Sequence, residues 1–277
     1  MRHMRSFLRQ WGVFIVLGLA CGGPVFAMGT ATCPASLRIG VSLLGVSYYK
    51  TGTEAEGYDV DIARELGRRL NSQIELVEMN RTRLFMSLAG GRYIDMTMSS
   101  TPSPERDKSG DFVALGQTRP YLLILSKLGD QGFDFKQFMA NPKLRVGVLA
   151  GADYGSYVSD QLADLQRQHR LDGVSDVASL IPRLIMGRND GILATPPVFA
   201  VLRRAPQDQA KVRILPLPDA PFRPAGAYLS HSTLNDECRQ KIRQALDAIR
   251  QDGALLRIYR RYFSEEWAQE RLGPASQ

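Results

Sequence analysis

The sequence predicts an α/β protein made of two Rossmann-like lobes that are joined by two crossover strands. Two observations support this fold class: short apolar runs alternate with amphipathic helical segments, and this alternation occurs twice along the chain. The chain of 277 residues is also long enough for two lobes of ordinary size. We expect lobe 1 to comprise residues 28–122 and 229–277, and lobe 2 to comprise residues 123–228.

Residues 1–27 have the composition of a secretory signal peptide. Basic residues precede an apolar run from Trp11 to Gly22, which is too short to span a bilayer comfortably. Cleavage after Ala27 fits the small residue at that position, and a lipid-modified Cys21 is the second alternative. We therefore expect a periplasmic protein, whose formal net charge falls from +7 to +4 when the three arginines of the signal are removed.

Charge and cysteine content narrow the possible functions. The remaining positive charges are scattered along helices, which differs from the clustered basic face that nucleic-acid binding requires. Export leaves Cys33 and Cys238, and an even pair in an oxidising compartment indicates either a disulfide or two buried free thiols. No histidine lies at ligand spacing from a cysteine, so we expect neither a metal site nor another cofactor.

Lobe 1 begins with a predicted strand at Leu37–Ser42, and a glycine-punctuated loop with Tyr48 and Tyr49 follows it. Tyr58–Leu70 predicts a helix, because apolar side chains recur every four residues and Asp59 and Asp61 suit its positive end. The next three elements are a strand, a helix and a strand, at Gln73–Glu78, Thr82–Ala89 and Ile94–Met98. Ligands of parallel sheets collect at the carboxyl ends of strands, so we expect the residues after the first and third strands to lie side by side.

Lobe 2 repeats this pattern after a candidate crossing strand at Tyr121–Lys127. We predict strands at Leu144–Leu149, Gly173–Asp176, Ile192–Ala194 and Lys211–Leu215, and helices at Ser156–Arg170 and Val177–Met186. Thr195 is the predicted N-cap of a further helix that starts with two prolines. The return crossing is expected at Ala225–Ser230, before two final helices at Thr233–Gln251 and Gly253–Phe263.

The stretch Ser99–Arg106 combines a strand end, a hydroxyl-rich turn and the start of a helix. Ser103 fits the N-cap position, and Pro104 fits the first helical position, where no N–H is needed. Hydroxyl groups, free backbone N–H groups and the Arg106 guanidinium are donors that together bind an anion such as a carboxylate. The alternative is a Ser/Pro loop with a solvated arginine, which is common in turns.

Several motifs resemble the bacterial extracellular solute-binding proteins, family 3, of the polar amino acid transport class. The motifs are Gly57-Tyr58-Asp59-Val60-Asp61, Gly91-Arg92-Tyr93-Ile94-Asp95, Thr101 to Arg106, Val146 to Gly151, Gly187 to Gly191 and Asp252-Gly253. Their order and spacing cover about residues 37–265. The resemblance implies the periplasmic binding protein-like II fold, and a monomer that closes on a small solute and delivers it to an ABC-type inner-membrane permease.

The same resemblance implies roles for particular residues. Arg106 and Thr101 would hold a carboxylate of the ligand, with the backbone of Ser99 nearby. Tyr48 or Tyr49 would stack over the ligand. Closure of the two lobes would exclude water and strengthen the pairing between guanidinium and carboxylate.

Three positions depart from the family pattern. Thr195 occupies a ligand-binding position that usually carries an aspartate for the ligand's ammonium, Ser42 replaces a second common aspartate, and Ala152 replaces a threonine. Burying an ammonium without a partner carboxylate is costly. Therefore either Asp153 supplies the missing charge, or the ligand has a carboxylate and no amine. Asp153 also fits the alternative of a helix N-cap or turn acid.

The sequence is compatible with three functions. The first is a non-enzymatic binding protein for a small carboxylate-bearing solute, an amino acid or a relative. The second is an enzyme on the same scaffold, such as a cyclic carboxylate dehydratase, which would need a general acid such as Glu105 or Asp153. The third is an accessory or sensor module that binds a protein partner, since an unused pocket would acquire substitutions like those above.

Overall fold

The computed structural model describes residues 33–129, 132–150, 152–217 and 219–273. The predicted signal peptide, its cleavage site at Ala27, the alternative at Cys21 and Gly151 of the lobe 2 motif lie outside these residues. The strands of the described part are β1 Ser36–Val41, β2 Tyr49–Thr51, β3 Glu54–Glu56, β4 Gln73–Glu78, β5 Met96–Ser100, β6 Gly110–Thr118, β7 Tyr121–Leu125, β8 Val146–Leu149, β9 Leu171–Val174, β10 Gly191–Ala194, β11 Val212–Pro216 and β12 Arg223–Ser230.

The α-helices of the described part alternate with these strands. They are α1 Tyr58–Leu70, α2 Arg81–Ala89, α3 Pro104–Asp107, α4 Phe135–Ala140, α5 Ser156–Arg167, α6 Leu180–Ile185, α7 Pro196–Phe199, α8 Pro206–Gln209, α9 Asp236–Gln251, α10 Ala254–Tyr262 and α11 Glu265–Leu272. Short 3-10 helices add Ser126–Leu128, Val177–Ser179 and Ala200–Arg204. None of the helices in this part of the chain combines the length and the apolarity that a bilayer crossing needs.

Two five-stranded mixed sheets organise the chain. The first has the strand order β4-β1-β5-β12-β6, in which β1 pairs in parallel with β4 and β5, and β12 is antiparallel to both of its neighbours. The second has the order β11-β7-β10-β8-β9, with the antiparallel strand β7 between β11 and β10. We call the parts built on these sheets lobe 1 and lobe 2. The arrangement matches the fold class that the sequence predicts.

The chain crosses between the sheets outside the strands that the sequence assigned to the crossings. All pairings of β7 are made in the second sheet, and all pairings of β12 are made in the first. The crossings are therefore the short links before Tyr121 and before Arg223. These positions come slightly earlier than the expected boundaries at residues 122 and 228, because a strand belongs to the sheet that satisfies its backbone hydrogen bonds.

Each lobe has its own apolar core. In lobe 1 the sheet packs against α1, α9 and α10 through side chains such as Leu37, Ile39, Ile62, Leu66, Met96, Ile242, Leu246 and Leu255. In lobe 2 the strands alternate between two faces: Leu123 and Ile192 pack against α6, whereas Leu122 and Leu193 belong to the cluster on the other face. Both faces of the second sheet are thus covered, as is usual for strands flanked by helices.

Helix α11, which the sequence analysis did not predict, bridges the two lobes. Ser264 caps this helix by accepting a hydrogen bond from the Trp267 N–H at 3.4 Å, and Glu265 and Glu266 occupy its first turn. The Trp267 ring contacts Tyr121 and Phe199 edge-on, with centroid distances of 5.1 and 5.0 Å. Because those two partners belong to lobe 2 and α10 belongs to lobe 1, the last helix lies at their junction.

The loop after β1 makes a second contact between the lobes. The Val46 N–H donates to the Pro197 carbonyl oxygen at 2.8 Å. Gly45 precedes this contact with φ +56°, and a Cβ at that position would lie 2.0 Å from the same carbonyl oxygen. The close approach therefore depends on glycine for two reasons, the left-handed backbone and the missing side chain.

A disulfide joins Cys33 to Cys238, with the two Cα atoms 4.9 Å apart. Cys33 precedes β1, whereas Cys238 is buried in the first turn of α9. The bond therefore ties the start of the described chain to lobe 1's C-terminal helices.

The double variant Cys33→Ala/Cys238→Ala is expected to lose about 2–5 kcal/mol of unfolding free energy, because the bridge closes a loop between positions 205 residues apart. Urea denaturation of the oxidised proteins measures this loss. Added reductant should lower the stability of the wild type and leave the double variant unchanged. An unchanged urea midpoint in the double variant would argue against a stabilising bridge.

Gly45→Ala is expected to destabilise the protein more than the matched variant Gly52→Ala. Both glycines have left-handed backbone, with φ +56° and +63°, but nothing lies within 4 Å of a Cβ added at Gly52. The two variants share the backbone strain, so their difference isolates the clash with Pro197. In thermal unfolding followed by circular dichroism, we expect the Tm of Gly45→Ala to be lower by at least about 5 °C. Equal Tm values would contradict this contact between the lobes.

Candidate functional site

An inner cavity of about 70 Å³ lies between the two lobes. Its walls come from the carboxyl ends of strands in both sheets, where ligands of α/β proteins collect. Lobe 1 contributes Leu44, Tyr58, Arg81, Ser99, Thr101 and Arg271, and lobe 2 contributes Leu149, Ala152, Asp153, Tyr154, Leu193, Ala194, Thr195 and Pro197. An outer groove of about 850 Å³ adjoins the cavity and shares Arg81 and Leu149 with it.

Arg81 projects from the start of α2 into the cavity wall. Its Nη2 lies 3.4 Å from the Ser99 carbonyl oxygen, and its guanidinium carbon lies 5.5 Å from the centre of the Phe85 ring. Burial, together with the nearby positive charge of Arg106, lowers the pKa of the Arg81 guanidinium to about 10. The side chain is therefore charged at neutral pH and has free donors for an anion.

Arg271 enters the wall from α11 and is 5% exposed. Its guanidinium stacks near three aromatic rings, at 4.7 Å from Tyr58, 5.1 Å from Tyr259 and 5.8 Å from Phe263. Nη2 donates to the Tyr58 hydroxyl at 2.7 Å, while the buried Nε has no partner among the described residues. A buried donor without a partner is costly, which makes this atom a candidate ligand contact.

A chain of hydrogen bonds runs from Arg271 to a buried carboxyl. The Tyr58 hydroxyl accepts from Arg271 and lies 3.1 Å from the Ser99 Oγ, which donates to Asp59 Oδ1 at 2.9 Å. Ser99 has a φ of +46°, a strained value for a residue with a side chain. These side-chain bonds fix Ser99 in that conformation at the cavity wall.

Asp59 lies behind the wall rather than on the surface of α1. Its side chain is 3% exposed, although the sequence analysis explained it by the positive end of the helix. Burial raises the pKa of its carboxyl to about 7, against the opposing effects of the Ser99 hydrogen bond and the charges of Arg271 and Arg81. The group therefore changes its charge near neutral pH.

Asp153 forms a bidentate ion pair with Arg223, at 2.9 Å for Nη1–Oδ1 and 2.6 Å for Nη2–Oδ2. Oδ1 also accepts from the Gly155 N–H at 2.9 Å, which is the turn role that the sequence left open. Across the cavity, the Thr101 hydroxyl donates to Oδ2 at 3.4 Å. Burial alone would raise the pKa of Asp153, but the bonds from Arg223 and the Gly155 N–H hold it below the usual range.

Comparison with known proteins shows which family has this sequence pattern. The family model of the bacterial extracellular solute-binding proteins, family 3, matches residues 37–265. The chain belongs to this family. It is therefore a solute-binding protein, and both the predicted resemblance and the predicted fold class are confirmed.

Two curated proteins resemble this solute-binding protein over most of its length. The arginine-binding extracellular protein ArtP of Bacillus subtilis is 24% identical over 221 residues, which cover 79% of this chain and 82% of ArtP. The L-arginine-binding protein of Pseudomonas aeruginosa is 25% identical over 255 residues, which cover 87% of this chain and 92% of the relative. Both relatives are named as binding proteins.

Among solved structures, an ancestral arginine-binding protein bound to arginine has the same fold. The TM-score is 0.67 at 21% sequence identity, and the match covers 83% of this chain and 99% of that one.

The structure brings some of the predicted site residues together in this solute-binding protein. Ser99, Thr101, Asp153 and Thr195 all line the inner cavity. Arg106 lies beside it, outside the wall: its Nη1 donates to the Thr101 carbonyl at 2.7 Å and to the Thr101 Oγ1 at 3.1 Å. Its guanidinium also stacks 3.8 Å from the centre of the Phe85 ring, so its contacts hold the turn around Thr101.

The two tyrosines predicted to stack over a ligand lie away from the inner cavity. Tyr48 is 2% exposed in the lobe 1 core, and its hydroxyl donates to Glu78 at 2.8 Å. Tyr49 donates to Glu56 at 2.7 Å and accepts from Arg204. Ser42, at the position of a family aspartate, lines the outer groove instead. The sequence gives no signal for this placement, because a loop's path decides which way its aromatic side chains point.

Most wall residues were not predicted from the sequence as site residues, among them Tyr58, Arg81 and Arg271. Tyr58 was assigned to the apolar face of α1, Arg81 was placed just before a helix, and Arg271 lay beyond the last predicted element. One signal was available for Arg271: Ser264 followed by two glutamates is a typical helix start, and it would have predicted α11. Nothing in the sequence indicates that this helix turns its arginine toward Tyr58.

Asp59→Asn is expected to change the pH dependence of stability. The folded protein keeps the proton of Asp59 up to about pH 7, whereas the unfolded chain loses it near pH 4, so this carboxyl destabilises the wild type increasingly as the pH rises through that window. We expect the Tm of Asp59→Asn relative to the wild type to increase from pH 5 to pH 8, because its relative free energy of unfolding rises by at most about 3 kcal/mol over this range.

Thermal unfolding at several pH values tests this expectation. Asp160→Asn is the matched control, since it removes an exposed carboxyl from α5. Its Tm difference from the wild type should stay flat over the same range. A Tm difference for Asp59→Asn that is flat or falls with pH would contradict a proton held in the folded state.

Proposed function

We propose that this protein captures a small carboxylate-bearing solute, an amino acid or a related compound, in the inner cavity and delivers it to an ABC-type permease. The observation that carries the proposal is the pair of charged arginines in the cavity wall, Arg81 and Arg271, beside the hydroxyl groups of Ser99 and Thr101. A guanidinium binds a carboxylate with two parallel hydrogen bonds.

Several of the predicted ligand-binding residues keep a role in this proposal. Ser99 and Thr101 line the cavity beside the arginines, although their hydroxyl hydrogens are donated to Asp59 and Asp153. Arg106 orients Thr101 through the two hydrogen bonds that it makes there. Thr195 contributes the opposite wall from lobe 2. We leave Tyr48 and Tyr49 out of the ligand site, because both hydroxyls already donate to glutamates elsewhere.

Export and delivery are the less direct part of the proposal. Membership of an extracellular family and the signal-like residues 1–27 support a periplasmic location, with cleavage after Ala27 or lipidation at Cys21 as the two possible processing routes. A monomer that closes on its ligand would then present both lobes to the permease. The names of the curated relatives support an amino acid or a related solute as cargo.

We infer binding without catalysis. The two acids considered for a general-acid role are Glu105, which is exposed on α3, and Asp153, which is held in its ion pair with Arg223. Neither is placed as a free acid against a bound solute. A sustained turnover of a cyclic carboxylate that depends on Asp153 would favour the enzyme instead.

A thermal-shift panel of carboxylates tests the proposed function. A ligand at about 100 times its Kd stabilises the folded protein by about 2.7 kcal/mol, which raises the Tm by roughly 5–10 °C. The uncharged amide of each carboxylate is the matched control and should give no shift. If no carboxylate raises the Tm above its amide, capture of a carboxylate solute is wrong, and the accessory function with a protein partner gains support.

A further inference from the structure

The inner cavity holds more positive than negative charge. Arg81 and Arg271 line it, and neither has a carboxylate partner within ion-pair distance among the described residues. Arg106 adds a third positive charge behind Thr101. An anion would stabilise all three, because each guanidinium otherwise repels the others in a partly desolvated space.

The acids near the cavity are already engaged. Asp153 binds Arg223 through both carboxylate oxygens, so that pair contributes no net charge. Asp59 lies behind Ser99, outside the cavity wall, and accepts the Ser99 hydroxyl. The lobe 2 side is neutral at Ala152 and Thr195. No carboxylate among the described wall residues is therefore free to pair with a ligand's ammonium.

We propose that the inner cavity selects a small dicarboxylate that has no ammonium group, with one carboxylate on Arg81 and the other on Arg271. This inference deepens the proposed function and rests on it. It differs from the amino acids named for the curated relatives, since an α-amino acid would place an ammonium next to unpaired arginines.

The wall separates the two arginines in a way that suits two carboxylates. Tyr58 and Ser99 lie between the two arginines. Arg271 Nη2 donates to the Tyr58 hydroxyl at 2.7 Å, and that hydroxyl lies 3.1 Å from Ser99 Oγ. On the other side, Arg81 Nη2 lies 3.4 Å from the Ser99 carbonyl oxygen. Each guanidinium therefore has its own contact in the wall, the Tyr58 hydroxyl for Arg271 and the Ser99 carbonyl oxygen for Arg81. The unpartnered Nε of Arg271 is the donor that a second carboxylate would satisfy.

The size of the cavity limits the length of the dicarboxylate. With one water molecule needing about 10–15 Å³ of such space, the cavity has room for about five to seven water-sized groups. Its volume of about 70 Å³ therefore suits the shortest dicarboxylates: malonate reaches this limit, and succinate exceeds it by one non-hydrogen atom. Arginine is longer and would extend from the inner cavity into the adjoining outer groove.

Isothermal titration calorimetry of the full mature chain tests the proposal with matched acids. Butyrate lacks the second carboxylate of succinate, and aspartate adds an ammonium to it. We expect malonate or succinate to bind at least about 30-fold more tightly than butyrate and than aspartate. Arginine is included as the cargo named for the relatives.

Three variants locate the binding. In Arg81→Met, the dicarboxylate should bind at least about 30-fold more weakly than in the wild type. The affinity of Arg81→Met for butyrate should lie within a few-fold of the affinity of Arg271→Lys for butyrate. Arg271→Lys keeps the positive charge but loses the second parallel hydrogen bond to a carboxylate. Arg92→Met is the matched control, since Arg92 is exposed in the loop before β5 and outside the cavity wall. It should bind as the wild type does.

The outcomes distinguish the dicarboxylate inference from the broader proposal that the protein captures a carboxylate. Tight binding of succinate or malonate that depends on Arg81 supports the dicarboxylate inference. Tighter binding of aspartate or arginine than of succinate overturns this inference and leaves carboxylate capture standing. No binding of any carboxylate overturns both. Arg81 is the first residue of α2 and is less buried than Arg271, so its variant should fold even if Arg271 variants do not.

Discussion

A buried arginine near the end of the described chain, Arg271, is the interaction around which the cavity is built. A guanidinium that is 5% exposed must be compensated, and here the compensation comes from the faces of Tyr58, Tyr259 and Phe263 and from the Tyr58 hydroxyl. That hydroxyl in turn contacts Ser99, whose left-handed backbone forms part of the cavity wall. The position of α11 thus helps to determine the shape of a site that also includes Tyr58 and Ser99, which lie more than 150 positions earlier.

The same helix connects the cavity to the junction between the lobes. Trp267 packs against Tyr121 and Phe199, and Glu270 accepts the Tyr121 hydroxyl at 2.6 Å and, through its carbonyl, the Gln117 amide at 2.9 Å. Gln117 and Tyr121 flank the first crossing between the sheets. The helix that carries Arg271 into the cavity wall therefore also contacts the crossing between the sheets.

The charge of the cavity is set by a few side chains and by the partners they find. Asp153, the residue that sequence reasoning offered as a partner for an ammonium, is neutralised by Arg223. Asp59 lies behind Ser99, and burial raises the pKa of its carboxyl to about 7. The wall that remains carries the positive charges of Arg81 and Arg271. The relatives share the family fold, yet charge in this cavity is set by a few side chains that the fold does not dictate.

The sequence by itself determined the two-lobed α/β architecture and most of its elements. Helix α1 has the predicted bounds because its apolar side chains recur at helical spacing, and Ser103 caps α3 as its position before Pro104 predicts. These features depend on local patterns, which a sequence contains in full. Tertiary structure alone decided the cavity: it placed Tyr48 in the core, put Arg106 behind Thr101, and brought Arg81 and Arg271 to one wall. Those outcomes depend on how distant segments pack and on which buried charge finds which partner, and no local pattern encodes such contacts.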